Sequence, residues 1–124
     1  MPQHNIAIVG LGRVGSVFLE RMLENRERGV NIVRVAQSSR TEGLRMAEEA
    51  GIPCGTLDDI IAEGSAVDMI FDLTGSGAVR QEMREKLSAA GNRNTVIAPE
   101  SVARLMWTLM GRDELPEVHQ QAGY

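Results

Sequence analysis

Short apolar runs alternate with stretches of helical period along most of this chain. The first run, residues 5–9, predicts a strand, and residues 13–27 predict a helix, with Val14, Val17, Phe18 and Met22 at helical spacing. Residues 31–37 are rich in β-branched side chains and predict a second strand. A helix is expected over 41–50, stopped by Gly51 and Pro53. Residues 52–54 make at most a stub of a third strand, because Pro53 cannot donate to a central ladder. A short helix over 57–62 follows Thr56, then a strand over 67–73, a helix over 78–90 and a strand over 94–98. Pro99 suits the first turn of a last helix over 100–110.

Strands separated by helices imply parallel pairing through right-handed crossovers. The first and fourth strands are nearly continuous apolar runs, as expected where helices cover both faces. Arg34 lies between Val33 and Val35 and places the second strand nearer an edge. The expected architecture is α/β: a three-layer Rossmann-like sandwich with a mainly parallel sheet of about five strands. Its order is 3-2-1-4-5, with the third strand short or missing. The domain is expected over residues 1–111, followed by a polar tail over 112–124 that frays or lies on a partner.

The first strand runs into Gly10-Leu11-Gly12-Arg13-Val14-Gly15, a Gly-x-Gly-x-x-Gly turn opening a helix. Gly10 would turn the chain out of the strand, Gly12 would admit a pyrophosphate, and Gly15 would let the helix pack closely on the sheet. Unpaired N–H groups at the helix start then face the phosphates. The second loop, Gln37-Ser38-Ser39-Arg40, lacks the carboxylate that usually holds the ribose 2′-hydroxyl of NAD. Two hydroxyls and the Arg40 guanidinium suit a 2′-phosphate, which favours NADP over NAD. Ser39 and Glu42 also match a capping box for the second helix, with no ligand needed. The third loop continues from Leu73 into Thr74, Gly75 and Ser76, where a nicotinamide ribose is expected. It reads equally as an ordinary glycine-rich turn with Ser76 or Thr74 as N-cap.

Other residues carry less. His4 and His119 have no neighbours at metal-ligand spacing, Cys54 reads as a small core side chain, and Asp58-Asp59 read as first-turn acids of a helix. No metal site and no catalytic residue is expected. The 124 residues fit one domain, and the formal net charge of −4 comes with no basic stripe, so nucleic acid is not an expected partner. The single cysteine excludes an internal disulfide and fits a reducing compartment. No apolar run approaches the ~18 residues of a membrane span, and residues 1–5 do not read as a signal peptide. A cytoplasmic domain is expected. Val102, Leu105, Met106, Trp107, Leu109 and Met110 cover more than one face of the last helix. A homodimer or partner domain is therefore expected in the Trp107 region.

At Ile8 to Ser16, Val35 to Arg40, Asp72 to Gly75 and Thr95 to Ala98 the chain resembles the NAD(P)-binding half of homoserine dehydrogenase. Aspartate dehydrogenase-type oxidoreductases look similar, and the likeness spans about residues 4–110. It implies a dinucleotide cofactor. It does not extend to the Asn-Lys pair with which homoserine dehydrogenases end their fifth strand, since Pro99-Glu100 stands here. Nor does it reach the substrate domain that carries their catalytic Lys and Asp. A stand-alone NAD(P)-binding module, regulatory or part of a larger protein, is the leading expectation. In that reading the dinucleotide orders the loops at 37–41 and 74–77 and changes a surface a partner reads. An oxidoreductase subunit completed by a partner, and a coenzyme A or adenosine-nucleotide module, are the alternatives.

Overall fold

The computed structural model describes residues 2–110; the expected tail and His119 lie outside the described residues. Five strands form one parallel sheet in the order β3-β2-β1-β4-β5. They are β1 His4–Val9, β2 Val30–Ala36, β3 Cys54–Gly55, β4 Met69–Asp72 and β5 Val96–Pro99. The helices are α1 Arg13–Glu24, α2 Glu42–Glu49, α3 Leu57–Ala62, α4 Gly77–Ala89 and α5 Glu100–Met110. The expected order holds, and the third strand is a two-residue edge.

Side-chain alternation along β1 explains the layers. Ile6 and Ile8 point into one core with Phe18, Leu19, Val35, Leu44, Phe71 and Trp107, beneath α1, α2 and α5. Ala7 and Val9 point into the other with Leu57, Ile60, Ile70, Met83 and Leu87, beneath α3 and α4. Phe18 of α1 and Phe71 of β4 anchor the first core, their ring centroids 4.8 Å apart. Cover on both faces explains why residues 6–9 of β1 and 69–71 of β4 read as apolar runs.

Several boundaries differ from the sequence reading. Helix α1 ends at Glu24, and residues Arg26–Arg28 form a separate 3-10 turn closed by Gly29 at φ 98°. Pro99 is the last residue of β5, opposite Asp72, and does not belong to the helix. An edge strand accepts proline because the missing N–H faces no neighbour. The cap of α2 is Thr41, whose Oγ1 accepts from Leu44 N at 3.1 Å, so the expected Ser39 capping box does not form. The capping box falls one helix later, between Thr56 and Asp59.

Trp107 also departs from expectation. It is 5% exposed, packed in the first core, with the Arg21 guanidinium 4.7 Å from its ring centroid. The helix turns Trp107 and Ala103 inward and leaves Leu105 and Leu109 outside, at 60% and 77% exposure. Trp107 therefore cannot be an exposed contact residue.

Candidate functional site

Three loops meet at the C-terminal ends of the strands, where the order reverses between β1 and its two neighbours. The first is the glycine turn. Gly10 sits at φ 97°, and a Cβ there would lie 2.9 Å from the Leu73 carbonyl carbon. A Cβ on Gly15 would lie 1.8 Å from the Gly10 carbonyl oxygen, so helix and turn are in backbone contact. Around Gly12 a Cβ would meet nothing within 4 Å. Two glycines thus serve packing, while the third faces open space.

Helix α1 begins without help. Gly12 supplies no side-chain cap, and the first turn contains no acid. By contrast Thr41, Thr56 and Ser76 cap α2, α3 and α4 with their hydroxyls. The Ser16 N–H donates to the Gly12 carbonyl at 2.8 Å, so the N–H groups of Arg13, Val14 and Gly15 precede the first helical bond. Arg13 places a cation at the positive end of the helix dipole, an arrangement disfavoured by about 0.3–1 kcal/mol unless an anion is present. Leu11 is fully buried beneath the turn, and its N–H donates to Gln37 Oε1.

Gln37 is therefore a bridge. Its Nε2 donates to Ser39 Oγ at 3.0 Å, so one side chain links the glycine turn to the loop after β2. Ser38 and Ser39 lie exposed on that loop. Arg40 turns along α2 and donates from both terminal nitrogens to Glu48, each at 2.9 Å. This pairing holds the Arg40 pKa above and the Glu48 pKa below their ordinary values, chiefly through the hydrogen bonds they share. Nearby, burial pushes the Cys54 thiol up, and Sγ donates to the Ile52 carbonyl at 3.3 Å.

The third loop is organised by Asp72, a residue to which the sequence pattern assigns no role. This carboxylate is 1% exposed. Oδ1 accepts from Thr74 N at 3.1 Å and Thr74 Oγ1 at 2.6 Å, while Oδ2 accepts from Arg80 Nε at 3.1 Å. Thr74 Oγ1 in turn accepts from Ser76 N at 3.0 Å. Gly75 adopts φ 72°, and Ser76 Oγ accepts from Val79 N to cap α4. The local signal was Asp-x-Thr, an Asx-type turn at a strand end.

Gly10, Leu11, Gly12, Arg13, Val14 and Gly15 thus sit beside Gln37, through the Leu11 bond, and beside Leu73 and Thr74, through the Gly10 packing. Arg40 stands apart, drawn towards the last turn of α2. Two open clefts, of about 500 and 680 Å³, contain none of these residues and lie at the other end of the strands. Among the described residues no group of three or more His, Cys, Asp or Glu could hold a metal, and no helix is long and apolar enough to cross a membrane.

A parallel sheet in this order, with an uncapped glycine-turn helix at its switch point, defines a nucleotide-binding domain of the kind found in dehydrogenases. The family described as "Homoserine dehydrogenase, NAD binding domain" matches residues 10–107, and the chain belongs to it. No curated protein matches by sequence. Among solved structures, homoserine dehydrogenase from S. aureus is similar at 21% identity and a TM-score of 0.60, covering 88% of this chain and 29% of that one. Homoserine dehydrogenase from Thiobacillus denitrificans follows at 24% identity and 0.55, covering 88% and 26%. GenD2 from gentamicin A biosynthesis, solved in complex with NAD, aligns at 23% and 0.59, covering 78% and 27%. The chain spans between a quarter and a third of these proteins' length.

Proposed function

We propose that this chain is an NAD(P)-binding module, regulatory or a cofactor-binding part of a larger protein, whose cofactor lies across the C-terminal ends of β1, β2 and β4. In this reading the pyrophosphate rests on the N–H groups of Arg13 and Val14, above Gly12. The adenosine ribose meets Gln37, Ser38, Ser39 and Arg40, and the nicotinamide ribose lies near Leu73, Thr74, Gly75 and Ser76. The observation that carries it is the start of α1: no side-chain cap, no first-turn acid, an arginine at the first position and open space over Gly12. A helix end built this way is completed by an anion. The absence of a carboxylate over residues 37–40 supports acceptance of NADP as well as NAD.

Calorimetric titration with NAD, NADP, coenzyme A and ATP tests the proposal. Binding of a nicotinamide dinucleotide more tightly than coenzyme A or ATP supports it; the reverse order moves the assignment to an adenosine-nucleotide or coenzyme A module. Hydride transfer needs a substrate within ~3–3.5 Å of the reacting carbon and a group that moves its proton. Membership of a dehydrogenase family supports a second reading, an oxidoreductase subunit whose substrate wall comes from another chain. Turnover of NAD(P)H that appears only with a second component would favour it over a purely regulatory module.

The α5 surface supports self-association. Val102, Leu105 and Leu109 are exposed at spacings of three and four, so they share one stripe. The charged residues of α5, Glu100 and Arg104, pair with each other at 2.9 Å and are only partly exposed. On a chain of net charge −4, this uncharged stripe suits a second copy, since it brings no like charges together. Sedimentation of Leu105→Asp should show a monomer where the parent is a dimer; a monomeric parent rejects the interface.

A further inference from the structure

Resting on the dinucleotide reading above, we infer that Glu48 sets the balance between NADP and NAD by competing for the Arg40 guanidinium. Both terminal nitrogens of Arg40 are engaged by the two Glu48 oxygens at 2.9 Å. Those are the N–H groups a 2′-phosphate would need for a fork of its own. Glu48 lies in the last turn of α2, seven positions beyond the cap Thr41. At 1.5 Å per residue, about 10 Å of helix axis separates the two. The side chain is thus drawn along the helix, away from the N–H groups at its start.

The surrounding charges make the competition one-sided. Helix α2 carries three acids, Glu42, Glu48 and Glu49. Arg45 already pairs with both Glu42 and Glu49. Arg40 is the cation paired with Glu48. When Arg40 leaves for a 2′-phosphate, the Glu48 carboxylate loses that cation and faces a new anion. The ribose of NAD asks nothing of Arg40, because Gln37 Oε1 and the Ser39 hydroxyl offer hydrogen-bonding atoms on the same loop. Glu48 therefore opposes NADP and is indifferent to NAD. It acts through Arg40, as a positioning residue, and needs no contact with the cofactor.

Isothermal titration of NAD and NADP into the parent chain, Glu48→Gln, Arg40→Ala and the double variant tests this. Glu48→Gln should tighten NADP about three- to fivefold, the scale of an exposed ion pair, and leave NAD unchanged. Arg40→Ala should weaken NADP, and in that background Glu48→Gln should change nothing. An equal change for both cofactors, no change for either, or a gain that persists without Arg40 overturns the role of Glu48. Should the parent bind NAD while the NADP:NAD ratio ignores Glu48, the cofactor site stands and this inference falls. Failure of the parent to bind either dinucleotide removes both.

Discussion

Gly12 and Gly15 occupy one motif, yet substitutions at the two should fail in opposite ways. At Gly15 a methyl group would sit 1.8 Å from the Gly10 carbonyl oxygen and 2.8 Å from its carbon. Neither atom belongs to a flexible side chain, so the helix or the turn must move. Overpacking costs about 1–3 kcal/mol where side chains can yield, and Gly15→Ala should reach at least the top of that range. For a domain of this size ~3 kcal/mol lowers Tm by at least about 10 °C. Gly12→Val meets open space at Cβ and φ −78°, a value any residue adopts. Its stability cost is the difference between glycine and an apolar residue at an N-cap, about 1 kcal/mol, offset in part by a stiffer unfolded chain. Thermal melts followed by circular dichroism should find Gly12→Val within about 5 °C of the parent. Titration of the same sample with NAD should show at least a hundredfold loss, because the branched side chain fills the space assigned to the pyrophosphate. If Gly12→Val bound NAD like the parent, the glycine turn would serve folding alone. If Gly15→Ala melted with the parent, the packing argument would be wrong.

Three further outcomes follow from the same geometry. Asp72→Asn should destabilise the domain by about 2–3 kcal/mol in urea, less than a fully buried pair costs because Arg80 is 36% exposed; a loss below about 0.5 kcal/mol would mean that the Asp72 network holds nothing. Thr41→Ala should cost about 1 kcal/mol and Ser39→Ala almost nothing, so the reverse order would return the cap of α2 to Ser39. Hydrogen bonds from Thr56 hold the Asp59 pKa below its ordinary value, so its contribution is complete above about pH 4 and is lost as acid protonates it in the fold. Asp59→Asn should therefore flatten the fall of Tm between about pH 5 and pH 2, and an unchanged slope would contradict the capping box.

What the sequence made legible was local. The strand, turn and helix around Gly10–Gly15 could be read because each signal lies within a few residues of its effect. Helix α3 was read to the residue, since Thr56 caps it and its acids fall in the first turn. The cap of α2 was misplaced because Ser39-x-x-Glu42 and the Thr41 hydroxyl compete. In the fold Ser39 Oγ accepts from Gln37 Nε2 instead, and Thr41 Oγ1 takes the Leu44 N–H. Three other features lie beyond such a window. Asp72 closes on Arg80 and Arg40 closes on Glu48, each eight positions on, and nothing in the spacing alone says which acid a given arginine will take. Trp107 faces inward where α5 packs on β5 and β4 and meets Arg21 of α1, contacts that lie outside the helix's own sequence.

The Gln37 bridge and the Asp72–Thr74–Ser76 chain have a consequence for how cofactor occupancy could be sensed. Both loops are tied to their neighbours by the chain's own hydrogen bonds, so a loop that moved on binding would first have to break them. A partner that tells loaded from empty copies while those bonds hold would feel the nucleotide itself: its exposed ring, its phosphate charge, or the filled hollow over Gly12. Such a reader should be blocked by a bulky adduct on the nicotinamide and unaffected by mutations that merely loosen either loop.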